Sequence, residues 1–151
     1  MSRTENERKK WANKCIVEKV IVRGAESDII IKCGNYKPFI CFDSTDSRPK
    51  EGTQILVQLG SLGGGEVKIS KSNRPSIMFE ETTECIGAVR IKKAIGKVIH
   101  IIEGGEVGGN TIIADIGGIY VEGIDRAQKK AKIGDFVEFN GVNYIWGLWK
   151  I

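Results

Sequence analysis

The sequence predicts an all-β protein, two tandem small five-stranded barrels behind a short amino-terminal helix. Three observations carry that expectation. Glycine is abundant, 19 residues in 151 against only 3 prolines, well above its average usage of roughly 7%, which suits many tight turns between short strands. Short runs alternate apolar and polar residues, as in "AKIGDFVEFNGVN" at 131–143, the period of a half-buried strand. Most tellingly, the pattern occurs twice in one order, and repeats decide architecture before any single element does.

The chain opens with "MSRTENERKKWANK". Ser2 or Thr4 followed three residues later by Glu5 or Glu7 makes a capping box, so a short helix through Lys14 is expected. Arg8, Lys9, Lys10 and Lys14 with Trp11 form either a basic arm or a helix that Trp11 packs onto the first barrel, the second being favoured. The two copies then follow. Lys-Val-Ile-Val at 19–22 matches Lys-Val-Ile-His at 97–100, and "DIIIKCGN" at 28–35 matches "TIIADIGG" at 111–118. "PFICFD" at 38–43 stands opposite "GIYVEG" at 118–123, and "KEGTQILVQLG" from Lys50 opposite "KIGDFVEFNG" from Lys132. The offsets of 78, 83, 80 and 82 wander as loop insertions would make them. In the second copy strands are expected near 96–102, 111–116, 119–123, 136–139 and 144–149, with a short helix in Ala-Gln-Lys-Lys-Ala after the third. The division expected is an amino-terminal helix or arm at 1–14, a first barrel at 15–75, a linker and strand at 76–95, and a second barrel at 96–151.

Five strands with a break after the third is the layout of an OB-fold barrel. "GKVIHI", "ADIGGIYVEGID" and "KIGDFVEF" resemble the S1-type and initiation-factor-type branch of the OB-fold superfamily, although an SH3-like barrel shares much of the pattern. The resemblance implies binding of single-stranded RNA or DNA on the outer face of strands two and three. Strand alternation puts Ile29, Ile31, Cys33, Phe39 and Cys41 inside with Ile112, Ala114, Ile116, Ile119 and Val121. Ile30, Lys32, Ile40 and Phe42 then face out with Ile113, Asp115, Tyr120 and Glu122.

Composition excludes other classes. Apolar residues at 41% and charged ones at 28% are those of a globular chain. Runs such as 98–102 fall far short of the ~20 residues of a membrane span. The charged amino terminus lacks the apolar core of a secretory signal, so a cytoplasmic protein with reduced Cys15, Cys33, Cys41 and Cys85 is expected. Their spacings match no zinc pattern, and His100, replacing Val22 in the alignment, is expected to pack; no metal, cofactor or catalytic residue is assigned. The chain has no phosphate loop, dinucleotide fingerprint or nucleophile elbow.

Charge selects the first copy for binding. Residues 1–75 hold 14 Lys or Arg against 9 Asp or Glu, while residues 76–151 hold 9 against 10. Candidate nucleic-acid contacts are Lys32, Tyr36, Lys37 and Phe42, then Arg48 and Lys50 in the long connection, and Lys68, Lys71 and Arg74 beyond it. In "NYIWGLWKI" alternation puts Tyr144, Trp146 and Leu148 on one face and Ile145, Trp149 and Ile151 on the other. A strand apolar on both faces is covered, so Tyr144, Trp146 and Trp149 are candidate interface residues toward the first barrel, a protein partner or a second copy. The alternatives to strand binding are a protein-interaction scaffold and, more weakly, oxyanion binding, because "GKVIHI" with "ADIGG" also resembles tandem Mop-type domains. The Ser-Ala-Arg-Asn stretch of that family is replaced here by "RIKKAI".

Overall fold

A computed structural model describes residues 3–61, 67–83, 87–106, 109–126 and 131–151. Its one helix, α1 (Arg3–Lys9), is followed by β1 (Asn13–Arg23), β2 (Glu26–Lys32), β3 (Phe39–Asp43) and β4 (Gln54–Gly60). Then come β5 (Lys68–Ile69), β6 (Ser76–Glu81), β7 (Val89–Glu106), β8 (Gly109–Asp115), β9 (Tyr120–Asp125), β10 (Phe136–Phe139) and β11 (Tyr144–Lys150). Among the described residues the chain is all-β apart from α1. That helix stops short of Lys14 because Asn13 is already held as a strand residue: its side chain exchanges two hydrogen bonds with the Tyr120 backbone, at 2.7 and 2.8 Å. The helix expected in Ala-Gln-Lys-Lys-Ala, the tip of "GSLGGGEVK" and Cys85 lie outside the described residues.

Strand pairing closes a ring in the order β1, β2, β3, β11, β4 and back to β1, with β11 parallel to β3 and antiparallel to β4. The ring is five strands that end far apart in sequence. In the other half β7, β8 and β9 form a meander and β10 pairs with β7. There β5 lies antiparallel to β10, and the Val67 N–H donates to the Ile124 carbonyl at 3.0 Å, placing this segment beside β9. Each half is therefore completed by the strand that follows the other half's fourth strand. The crossing point is pinned by the Asn143 N–H on the Gly60 carbonyl at 3.2 Å and by the Ser61 hydroxyl on the Gly141 carbonyl. Parallel contacts of β3 with β7 and β4 with β9 join the halves into one 11-stranded sheet.

The core follows the alternation read from sequence. All ten residues expected inside belong to a single buried cluster that runs through both halves. Ile30 and Ile40 face away from it but are covered in a small second cluster with Ala88. Two registers differ from expectation, the alignment of β1 with β7 and the facing of β11, where a β-bulge inserts a residue and reverses facing beyond it. In β1 and β7 the ladder shifts after Val17 and after Val98. Val17 therefore corresponds to Val98 and Lys19, not Val22, to His100, each 81 positions apart. In β11 the ladder shifts between Ile145 and Gly147, so Ile145 and Leu148 pack on the core while Trp149 joins Tyr144 and Trp146 on the outer side.

The corrected register explains the cysteines. Cys15 and Cys33 are joined as a disulfide, with Cα atoms 4.6 Å apart, so the expectation of free thiols fails for this pair. Cys41 is free and buried, and desolvation first, then the nearby Asp28 charge, push its thiol well above the usual range. In the second half Gly96 stands where Cys15 does and Ile116 where Cys33 does. A Cβ on Gly96 would lie 2.8 Å from Ile116 Cγ2 and 2.9 Å from the Asp115 carbonyl. Glycine is required there by close approach. Gly96→Ala is expected to lower stability by about 1–3 kcal/mol through overpacking, checked by the midpoint of urea unfolding.

Candidate functional site

The outer face of the first barrel carries a row of rings. Phe42, directed outward on β3, stacks on Tyr144 of β11 with centroids 5.1 Å apart and planes 26° apart. Tyr144 meets Trp146 at 4.4 Å. The pairing of Tyr144 with Phe42 in the parallel β3–β11 ladder brings the first two rings side by side. Trp146 follows on the same side because the bulge comes directly after Ile145. Gly60 on β4 makes the seat for the indole, since a Cβ there would stand 2.7 Å from Trp146 Nε1. Trp146 keeps 45% of its surface exposed. A row of two partly covered rings ending in an open indole is a surface on which planar groups can stack.

Beside Phe42 lies a cavity of about 330 Å³, lined by Arg23 and Glu26 at the β1–β2 turn, Ser27 and Asp28 of β2, Arg90 of β7 and Asn143 ahead of β11. Arg23 Nε is 3.3 Å from Asp28 Oδ2, and Asp28 is the cross-strand neighbour of Phe42. Arg48 turns back toward the same turn, its guanidinium donating to the Gly24 carbonyl at 3.3 Å and pairing with Asp46 at 3.4 Å. The cavity thus holds two guanidiniums and two carboxylates against an aromatic wall, a balanced set of donors and acceptors.

The other expected contacts are dispersed. The Lys32 ammonium donates to the Tyr36 carbonyl, and the Tyr36 hydroxyl donates to the Gly117 carbonyl of the β8–β9 turn, with its ring 6.1 Å from Phe79. Tyr36 therefore ties the halves together. Lys37 and Lys50 are exposed. Lys68 sits on β5 against β10 in the second half, and Lys71 and Arg74 follow it as exposed residues. Alternation did mark Phe42, Tyr144 and Trp146 as notable, but not as one group. Arg23 and Arg90 were missed, though their outward places next to Val22 and Ile91 were open to the same counting.

Arg8 and Lys9 of the amino terminus are engaged on the sheet. Arg8 pairs with Glu122, which is buried and also accepts from the Gln58 amide. Lys9 Nζ stands 5.9 Å from the Trp149 ring centroid. Trp11 packs against His100 at 5.4 Å and edge-on to Tyr120 at 5.6 Å, on the second half, while α1 also contacts β4 of the first barrel. His100 does more than pack: its Nε2 lies 2.7 Å from Glu7. Among the described residues no group of three or more His, Cys, Asp or Glu is placed to hold a metal ion. No helix among them is long and apolar enough to cross a membrane.

The fold is a β-barrel whose two halves exchange their closing strands. Neither a protein-family model nor a curated protein sequence matches the chain. Among solved structures it is similar to the cytoplasmic molybdate-binding protein ModG in its molybdate-bound form, at 11% identity over 93% of this chain and 95% of that one, with a TM-score of 0.44.

Proposed function

We propose that this protein binds single-stranded nucleic acid, RNA or DNA, on the outer face of the first barrel, without chemistry of its own. The observation that carries the reading is the Phe42, Tyr144 and Trp146 row, which starts on the barrel's third strand, part of the face an OB barrel uses for single strands, and continues onto the closing strand β11. Arg48 at the rim supplies charge for phosphates. Titration with labelled single-stranded oligonucleotides at low and moderate salt tests it. Binding is expected to quench tryptophan fluorescence, to weaken as salt rises, and to fall roughly tenfold in Trp146→Ala, since stacking contributes ~1–3 kcal/mol per base. Absence of binding at low salt would overturn the proposal. Self-association that depends on Trp146 and Trp149 in the same samples would then favour the scaffold alternative.

Oxyanion binding has one feature in its support, the convergence of Arg23, Ser27, Arg90 and Asn143 as donors on one cavity. Against it, Glu26 and Asp28 line the same cavity, and a carboxylate repels a bare tetrahedral anion. Molybdate and phosphate titrated into the same protein separate the two: saturable binding of either at low concentration, with no response to oligonucleotides, favours the oxyanion.

A further inference from the structure

We infer that the cavity beside Phe42 is a nucleobase pocket selective for guanine, assembled from both halves of the molecule. The inference rests on the single-strand reading and deepens it, because the pocket sits where a base stacked beside the aromatic row would enter. Its volume of about 330 Å³ lies at the lower end of the ~300–1,000 Å³ typical of small-ligand sites. Phe42 offers a ring against which a planar group can lie, and Asp28, its cross-strand neighbour, projects on the same side of the sheet.

The argument for guanine is one of matching edges. Guanine presents two adjacent acceptors, O6 and N7, which a guanidinium reads with two hydrogen bonds. It also presents two adjacent donors, N1–H and the N2 amino group, which an ionised carboxylate accepts with its two oxygens. The cavity is lined by both complements, Arg23 and Arg90 for the first edge and Glu26 and Asp28 for the second, and a bound base would exchange the Arg23–Asp28 pair for contacts to its own edges. Adenine and uracil lack both of these paired edges, and cytosine, with adjacent acceptors at N3 and O2, lacks the paired donors. The same carboxylates that disfavour a bare oxyanion are used by a base that brings its own donors. Arg90 comes from β7, which pairs with β3, and Asn143 from the crossing segment before β11, so the pocket draws on both halves.

Calorimetric titration of the full chain at low salt with GMP, AMP, CMP and UMP tests the assignment. GMP is expected to bind at least about tenfold more tightly than the other three, the discrimination of one good bidentate contact. Asp28→Asn is expected to reduce that preference to about threefold or less, and Arg90→Gln to weaken GMP about tenfold, each in protein whose urea midpoint shows it folded. Equal affinities for the four nucleotides, no GMP binding, or a guanine preference that survives both substitutions would overturn the inference. Oligonucleotide binding through Trp146 that persists with equal affinities for the four nucleotides would remove the guanine pocket and leave the strand-binding proposal standing. Loss of strand binding together with retained GMP selectivity would do the reverse.

Discussion

A chain ended after residue 143 is expected to lose its cooperative unfolding transition. This is the largest effect that the fold predicts. The eight residues removed include β11, which lies between β3 and β4 and closes the first ring. Removing it takes Ile145 and Leu148 out of the core and leaves the backbone groups of β4 without their partners along Ile55–Gly60. A large buried aliphatic side chain alone contributes about 2–5 kcal/mol, and unsatisfied buried backbone groups add to the loss. Set against a total stability of about 5–15 kcal/mol, the sum is decisive. Urea unfolding followed by circular dichroism is the check. Two fragments, residues 1–75 and 76–151, should each unfold without a transition and regain one when mixed, because each holds the other's closing strand. A truncated chain with an intact transition would show that β11 does not close the ring.

That exchange was the part of the fold hardest to read. Facing is a local property with a period of two, and it placed Ile29, Ile31, Phe39 and their counterparts in the core correctly. Partner choice is not local. Nothing in the alternation of "NYIWGLWKI" says whether it pairs with the strands before it or with those 100 residues earlier, and β5 is only Lys68–Ile69, too short to announce itself. The apolar character of both sides of β11 led to the expectation of a covered strand, but only the Ile145 and Leu148 side packs on the core, while Trp146 on the other side stays 45% exposed. Two errors remained: the shared Lys-Val-Ile run placed His100 opposite Val22, three positions from the Lys19 that the matching bulges after Val17 and Val98 give it, and a bulge in β11 turned Trp149 outward. The candidate site suffered from the same limit. Phe42 was legible as an outward aromatic, but its partner Tyr144 lies 102 residues away and reaches it only through the exchange. Lys68, by contrast, was assigned to the first half from its place in sequence, while β5 carries it to the second half.

The disulfide gives the second large effect. Replacing Cys15 and Cys33 together by alanine is expected to lower stability by roughly 3 kcal/mol, the loop-closure contribution of a crosslink between residues 18 apart. The bond joins β1 to the residue after β2, in the first half of the shared core, where the second half has Gly96 seated against Ile116. One half thus holds this contact covalently and the other by close packing, which is why the loss should exceed that of Gly96→Ala. The measurement is urea unfolding of the oxidised wild type, the reduced wild type and the double variant. Alkylation of the denatured, unreduced protein should modify two of the four cysteines, and in the native state Cys41 should resist, being buried with a thiol that burial keeps protonated. Reduced wild type and double variant should then unfold at closely similar midpoints, both below the oxidised protein. If reduction leaves the midpoint unchanged and four cysteines alkylate after denaturation, Cys15 and Cys33 are paired thiols and the first half is held as the second is, by packing alone.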